Sequence, residues 1–393
     1  MQTFLRRIYA FACLNHCILI YPVYAILFQE SGLSSIQVTS LFMLWSAVTV
    51  VFEVPTGVLA DKYKRRNILV FAQLLKGGCF LCWLASKTYF AFGVGFFLWG
   101  ISSTLMSGTF ESFVYDELKH CGKEESFKNV VSRIRASSFI GITIAVLLGG
   151  IIAEYGYDSA LIPSSIVPFL NILVLFSIPS VAPMCSTGER AYFRILVDAF
   201  REAKNNPALL RLMIFFAITF GSMGASDELW ELLFRERSFT LATIGFLFAI
   251  GNTVSALACL SVQYLPLQGK RAYAFVIIGG LASVLLALLR SPFAIVLAFV
   301  SIFILEAAFT LFQTRLQHAI SSHQRATVSS INSLLLEMVA IVFYFLAGIL
   351  ADRFGFVSFL WLLGIITGAV SLLYLFLPSE PVAEHQTVSL AEK

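Results

Sequence analysis

Charged side chains are scarce in this chain. Asp, Glu, Lys and Arg make up 13% of its 393 residues, against 58% hydrophobic residues, and the mean hydropathy is +0.85. A water-soluble globule of this size carries many more charged residues on its surface. The composition therefore excludes an ordinary soluble protein and predicts a membrane protein.

The residue patterns of several kinds of active site are also missing. The sequence has only five histidines, and it contains no nucleotide-binding loop, no His-rich metal set and no Ser-His-Asp arrangement. Its seven cysteines are scattered, mostly in apolar segments. Even Cys79 and Cys82, whose spacing suits a redox site, lie in an apolar span and are interpreted as packing residues. We therefore expect neither an enzyme nor a bound cofactor or metal.

Apolar stretches of about 20 residues, the length that crosses a bilayer core, recur along the whole chain. Helices are the expected form, because each one satisfies its own backbone hydrogen bonds. The first stretch follows Arg6 and Arg7 but is far longer than a signal-peptide core, so we expect it to remain as the first helix. The sequence thus predicts twelve transmembrane helices, at 8–29, 36–58, 67–86, 90–112, 134–153, 161–178, 209–232, 241–263, 272–289, 292–314, 327–350 and 356–377.

The basic residues fall mainly on one side of these predicted helices. Of the 27 lysines and arginines, 21 lie in segments on the same side as the N-terminus and five on the other. Because basic residues concentrate in cytoplasmic loops, both termini are predicted to be cytoplasmic. The formal charge of +4 then reflects orientation in the membrane, and no nucleic-acid partner is expected.

The longest connection lies near the middle of the chain and separates two groups of six helices. It predicts a domain division into 1–178, a cytoplasmic linker at 179–208, a second bundle at 209–378 and a cytoplasmic tail at 379–393. Residues 191–205 of the linker fit either an amphipathic helix on the membrane surface or a solvated helix. A trace of duplication joins the halves, since Gly149-Gly-Ile-Ile-Ala-Glu154 matches Ala347-Gly-Ile-Leu-Ala-Asp352.

One short polar segment separates the second and third apolar stretches. It reads Gly57-Val-Leu-Ala-Asp61-Lys-Tyr-Lys64-Arg65-Arg66. This segment resembles the signature loop of the major facilitator superfamily (MFS), with Lys64 at a position where a second glycine is usual. The resemblance implies an all-α membrane protein with two six-helix bundles, the MFS fold, and a secondary transporter.

The resemblance also implies a latch at the inner gate. In such a latch, acids and arginines on neighbouring helices form a charge network when the protein faces outward. Simple anchoring of basic residues at the membrane surface is the alternative interpretation. The residues to which the latch would correspond are Gly57, Asp61, Arg65, Arg66, Asp116 and Arg325.

Ionisable and strongly polar side chains within the spans form a second set of candidates. Each buried charge costs roughly 2.5–3.5 kcal/mol on insertion scales, so such residues mark a pathway or relay by default. The candidates for the cavity and for proton coupling are Asp227, Glu228, Glu306, Glu337, Glu111, His16 and Asn15. The superfamily resemblance implies that spans one, four, seven and ten line the central cavity. Most of these residues lie on those spans.

Two questions about these side chains stay open. The acids would suit either cationic or metal-chelating solutes, and a structural pairing of Glu337 with a buried base is an alternative to proton transfer. Lys76, in the third span, either extends along the lipid or turns inward, and an inward ion pair with a carboxylate is the expectation.

Together these features predict a secondary active transporter of the bacterial inner membrane. We expect it to act as a monomer in the lipid bilayer and to move a small organic solute, such as a drug, a metabolite or a siderophore-like chelator, by alternating access. Proton-coupled export is the prediction, and proton-coupled import of a metabolite or siderophore is the alternative. A non-transporting membrane sensor or enzyme is the alternative from a different class.

Overall fold

The computed structural model describes residues 2–178, 206–289, 291–319 and 325–377, without the side chains of Val54, Asp61, Pro292 and residues 325–330. In these ranges the chain is helical, with short 3₁₀ turns and no strand. The helices are α1 (Gln2–His16), α2 (Tyr24–Glu30), α3 (Ser35–Lys62), α4 (Arg65–Ala85), α5 (Tyr89–Met106), α6 (Thr109–His120), α7 (Phe127–Ala153), α8 (Tyr157–Ser177), α9 (Pro207–Asp227), α10 (Trp230–Glu236), α11 (Leu241–Ser261), α12 (Arg271–Leu288), α13 (Ile295–Ala319), α14 (Arg325–Phe354) and α15 (Ser358–Phe376).

The predicted all-α membrane fold is confirmed, but the first span differs from its prediction. Within the described residues, eleven helical segments are long and apolar enough to cross a membrane. The predicted span 8–29 is instead divided into α1 and α2 by an irregular stretch at 17–23. Pro22 lacks an N–H and disfavours the helical conformation of the residue before it. The backbone N–H of Ile20 donates to the hydroxyl of Ser164 on α8 at 3.0 Å, so a contact with α8 replaces part of the helical hydrogen bonding.

Two other predicted spans are also interrupted. Span 90–112 divides into α5 and α6 at Gly108, whose φ of 66° is in the left-handed region that glycine adopts without strain. Span 209–232 divides into α9 and α10 at Glu228 and Leu229. Because neither residue is a glycine or a proline, this break carries no local sequence signal, and the sequence analysis missed it.

The predicted hinge at 57–66 is mostly helical. The helix α3 continues through Gly57 and the backbone of Asp61 to Lys62, and α4 begins at Arg65. A turn of two residues, 63–64, is all that joins them. Residues 179–205 of the predicted linker, with its proposed amphipathic helix, and the tail at 379–393 lie outside the described residues.

We call the helices before residues 179–205, α1–α8, the first half, and those after them, α9–α15, the second half. In the first half α4 packs on α5 and α8, and α1 packs on α7; in the second, α12 packs on α15 and α9 on α14. Between the halves, α3 packs on α14, α7 on α11 and α2 on α10. We call the end that carries the start of α1 and the 63–64 turn the proximal end, and the opposite end the distal end. The topology prediction places the proximal end in the cytoplasm.

Glycines permit the helices of the two halves to approach closely. A Cβ on Gly150 of α7 would lie 3.0 Å from the Cα of Gly245 on α11. A Cβ on Gly348 of α14 would lie 2.1 Å from the hydroxyl of Thr39 on α3. Gly150 and Gly348 are the corresponding positions of the duplicated segment, so the duplication marks two equivalent crossings between the halves.

A second internal repeat, which the sequence analysis missed, relates 24–44 to 230–250. At this offset Phe28 matches Phe234 and Glu30 matches Glu236. In both copies a seven-residue helix leads through a residue with positive φ into a long helix capped by a hydroxyl, from Ser34 for α3 and from Thr240 for α11. The short helices α2 and α10 are therefore equivalent, and they pack on each other at the distal end.

Candidate functional site

The two halves enclose a cavity of about 400 Å³. Its first-half wall is largely aromatic and includes Tyr21, Tyr24 and Trp99, with the rings of Tyr21 and Trp99 stacked at a centroid distance of 5.4 Å. The second half contributes aromatic side chains too, among them Trp230 and Phe248. The cavity is thus an apolar space with rings on both sides.

Acidic side chains reach this cavity from the second half alone among the described lining residues. Asp227 and Glu228 lie at the break between α9 and α10, Glu231 lies in the first turn of α10, and Glu306 lies on α13. The described lining contains no lysine or arginine. The predicted residues Asp227, Glu228 and Glu306 are therefore brought together at one site, which is strongly negative wherever the acids are ionised.

Glu231 is the acid that the sequence analysis did not select as a site residue. Its side chain is 2% exposed, and its Oε1 accepts a hydrogen bond from the backbone N–H of Ala25 at 2.5 Å. Ala25 is the first-half counterpart of Glu231 in the 24–44 repeat. The carboxylate also interacts with the backbone N–H of Ile26. The available signal was the repeat itself, which pairs α2 with α10.

Polar contacts close the distal end above the cavity. Arg235 of α10 forms an ion pair with Glu30 of α2 at 2.8 Å, and Glu30 also accepts a hydrogen bond from the hydroxyl of Tyr157 at 2.7 Å. Glu154, at the end of α7, accepts a hydrogen bond from the backbone N–H of Ala242 in the first turn of α11 at 3.0 Å. The Arg235–Glu30 and Ala242–Glu154 contacts join the two halves on the same side as the bond between Glu231 and Ala25, and Tyr157 holds Glu30 within the first half.

Glu337 lies on α14 near the cavity but is not among its lining residues. Its charge interacts with those of Glu228 and Glu53. Glu53, on α3, accepts a hydrogen bond from the hydroxyl of Ser107 at 3.3 Å. No buried base of the described residues is shown to pair with Glu337, so the structural alternative weighed from the sequence gains no support.

Lys76 has a different partner from the one expected. Its ammonium donates to the backbone carbonyl of Asn15 at 2.7 Å and lies 5.7 Å from the centre of the Tyr21 ring. The expected ion pair with a carboxylate is not shown. The break after α1 frees carbonyl groups that a continuous helix would use, and Lys76 binds one of them. The side-chain oxygen of Asn15 accepts from Gln73 at 2.9 Å, and His16 ends α1 near Lys76.

The latch candidates at the proximal end form contacts that are separate from the cavity. Arg65 and Asp116 form an ion pair across α4 and α6 of the first half, in a structure whose distal end is closed, whereas the latch hypothesis expects its charge network in the outward-facing state. Arg66 donates to the carbonyl of Ile178 at 3.3 Å. Gly57 has open space where a Cβ would be added. Their role as a latch stays a prediction.

Three further candidate residues are not placed at the cavity. Glu111 is exposed in the first turn of α6 and does not line the cavity. The side chains of Asp61 and Arg325 lie outside the described part of the chain. The structure therefore brings together four acids at the cavity, one polar cluster around Lys76 and one proximal ion pair.

Similarity to known proteins agrees with this architecture. The sequence model of the Major Facilitator Superfamily matches residues 8–343. The chain belongs to the Major Facilitator Superfamily. The match confirms the resemblance that the 57–66 segment indicated, and it includes all the cavity acids and Glu337.

Two curated relatives of this superfamily member are themselves uncharacterised. The MFS-type transporter YxaM of Bacillus subtilis (strain 168) is 19% identical over an alignment 276 residues long, which covers 64% of this chain and 64% of that protein. An uncharacterised transporter of Buchnera aphidicola subsp. Schizaphis graminum (strain Sg) is 28% identical over 134 residues, 34% of this chain and 33% of that protein. The chain thus spans less than two thirds of the length of both relatives.

Solved transporters have a similar fold. A mutant of the nucleoside transporter NupG has a TM-score of 0.79 at 14% identity, with 95% of this chain and 100% of that one covered. The POT family transporter PepTSo has a TM-score of 0.75 at 11% identity, covering 95% and 97%. A bacterial homologue of the lysosomal transporter Spinster, inward-facing and unoccupied, has a TM-score of 0.71 at 14% identity, covering 95% and 96%. At these identities the likeness shows the fold alone.

Proposed function

We propose that this MFS protein is a secondary active transporter that moves a small organic solute by alternating access across a bacterial inner membrane. The observation that carries the proposal is the cavity between the halves, large enough for a small ligand and closed at its distal end by separate polar contacts. Such contacts are able to break and re-form as one half rocks against the other. The structure then corresponds to the conformation of the transport cycle that is closed at the distal end.

Protons are the proposed coupling ion. The cavity holds Asp227, Glu228 and Glu306, with Glu337 close by. Carboxylates that pass between wet and dry surroundings are suited to take up and release protons, and intramembrane acids form relays of this kind. We propose Asp227 and Glu337 as the first relay groups to test, because they lie on different helices of the second half.

Export is the direction we propose, on the superfamily resemblance, and import of a small metabolite is the alternative. Neither direction is favoured by a distally closed cavity, since both transport cycles pass through that state. An experiment on oriented protein is therefore needed.

The test uses protein reconstituted into liposomes with an imposed pH gradient and pyranine in the lumen. The solutes are tetraphenylphosphonium, uridine and benzoate, which represent cationic, neutral and anionic cargo. A transporter gives a solute-dependent dissipation of the gradient. Protease accessibility of the tail determines the orientation of the protein in the liposome. With that orientation known, the sign of the lumenal pH change separates export from import.

Two variants test the relay. Asp227→Asn and Glu337→Gln should each remove solute-dependent proton movement while leaving the amount of folded, reconstituted protein unchanged. Glu125→Gln, at an exposed position in the 3₁₀ turn before α7, is the matched control and should behave as the parent protein. Proton coupling like that of the parent in both relay variants would remove these groups from the mechanism. An active sensor or enzyme would give no gradient-dependent flux.

A further inference from the structure

The cavity differs from a generic transport site in how its chemistry is distributed. Its described acids all come from the second half, at the α9–α10 break, on α10 and on α13, whereas the first half contributes mainly aromatic walls. No lysine or arginine is among the described lining residues. A ligand in this cavity therefore meets carboxylates from the second half and aromatic rings from both halves.

Burying carboxylates without positive partners is costly. Four acids, Asp227, Glu228, Glu231 and Glu306, line this one cavity. Asp227 and Glu306 also act on each other as like charges. The site thus lacks the positive charge that would balance it, and a cationic ligand supplies that charge.

A metal ion fits the cavity less well than an organic cation. A bound divalent ion needs several oxygen, nitrogen or sulfur ligands that converge within about 2–2.6 Å of one point. Among the described residues, no group of three or more His, Cys, Asp or Glu side chains is arranged to hold a metal. The carboxylates come instead from three helical segments of the second half, and aromatic rings such as Tyr24 and Trp99 line the same cavity. Aromatic walls bind apolar surface, and their ring faces attract cations.

From these observations we infer that the cargo of this transporter is a monovalent organic cation with an aromatic or otherwise apolar body, held by Asp227 and Glu306 against the aromatic wall of the first half. The inference rests on the proposed transport function, because it names the class of solute carried in that same cavity. Neutral solutes, anions and free metal ions are excluded as the preferred cargo. Glu231 retains its hydrogen bond from the backbone N–H of Ala25.

The test is equilibrium binding to the full chain purified in detergent, with tritiated tetraphenylphosphonium as the probe in a scintillation proximity assay. Two competitors of similar shape separate charge from apolar contact: methyltriphenylphosphonium is a cation, and triphenylphosphine oxide is neutral. We expect displacement by the cation at a concentration at least tenfold lower than that required of the oxide. Equal displacement by both would show that the cavity selects apolar shape and would overturn the inference.

The carboxylates are tested by Asp227→Asn and Glu306→Gln. Each change removes one negative charge with little change in shape, so each should raise the Kd of tetraphenylphosphonium about tenfold or more, whereas Glu125→Gln should change it less than about twofold. Thermal unfolding of each variant verifies that it is folded, and Asp227→Glu, which keeps the charge, should retain binding. Unchanged affinity in both neutralised variants, or displacement of the probe by zinc chloride at equal concentration, would contradict the assignment.

Failure of this inference and failure of the proposed function give different results. Carboxylate-dependent phosphonium binding without gradient-driven flux in liposomes would preserve the ligand class and refute transport. Gradient-driven flux of uridine, with no phosphonium binding, would preserve the transport function and refute the cationic cargo.

Discussion

The crossing of α7 and α11 gives the sharpest test of how the distal end closes. A Cβ added to Gly150 would lie 2.5 Å from the carbonyl oxygen of Leu241 and 3.0 Å from the Cα of Gly245. Ordinary contact begins near 3.4 Å, and both neighbours are backbone atoms that no side-chain rotation can move. Gly150→Ala therefore forces the two helices apart at a contact between the halves.

The size of the effect follows from this geometry. Overpacking of a close contact costs about 1–3 kcal/mol. If the two halves separate at the distal end during the transport cycle, this cost raises the free energy of the distally closed state and is absent from the distally open state. A change of that size shifts the equilibrium between two conformations by about 5- to 150-fold. We therefore expect the distally open population to become dominant or clearly visible.

Double electron–electron resonance measures this shift as a change in the distance distribution between two spin labels. Tyr155 and Arg353 are exposed at the distal end, one in each half, and both accept labels in a background without native cysteines. The parent protein should show mainly the short distance of the closed state, and Gly150→Ala should add a longer one. Gly224→Ala is the matched control, because a Cβ there would meet no atom within 4 Å. A folded Gly150→Ala protein with the distance distribution of the parent would refute the reasoning, and Gly245→Ala repeats the test from the other helix.

Three further substitutions address stability and the proximal end. Ser238 has a φ of 65°, and its repeat counterpart is Gly32. Ser238→Gly should therefore stabilise the protein by about 1 kcal/mol, and Gly32→Ser should destabilise it. Opposite shifts of the melting temperature in detergent would support both expectations, whereas no shift would mean that the strain is relieved locally. Lys76→Met should lower the unfolding free energy by about 1.5–3 kcal/mol, because it leaves the buried carbonyl of Asn15 without its donor. Lys119→Met, at an exposed position, should change it by less than about 0.5 kcal/mol. Denaturant titration measures both, and equal losses would contradict a structural role of the buried ammonium. Gly57→Ala should raise the free energy of unfolding by about 0.5–1 kcal/mol, because Gly57 lies in a helix and has open space where the methyl group would be added. The same change should lower gradient-driven flux. Flux equal to that of the parent protein would remove Gly57 from the proposed latch.

The membrane class and most helix positions were predictable because they depend on local composition. A bilayer requires about 20 consecutive apolar residues for each helix, and this requirement is visible without any knowledge of neighbouring helices. The 57–66 segment indicated the superfamily for a similar reason, since its pattern is contiguous in the chain. The choice of Asp227, Glu228 and Glu306 also came from local context, because an acid within an apolar span is recognisable by itself.

Apart from the local signals at Pro22 and Gly108, the helix breaks could not be predicted in the same way. The amide of Ile20 is satisfied by Ser164, which lies 144 residues later in the chain, so the irregular stretch at 17–23 depends on α8. The partner of Lys76 follows from that break, because the carbonyl of Asn15 becomes available only when α1 ends. A search for a carboxylate partner in the sequence was bound to miss it.

By itself, then, the sequence determined that this protein spans the membrane, which superfamily it belongs to and which acids lie within apolar segments. Only the tertiary structure decided that three of those acids reach one cavity, that Glu231 joins them while capping Ala25, and that the ends of the two halves meet through equivalent short helices. The physical reason is the range of the interactions. Hydropathy acts residue by residue along the chain, whereas a hydrogen bond between Glu231 and Ala25 depends on packing between segments 206 residues apart.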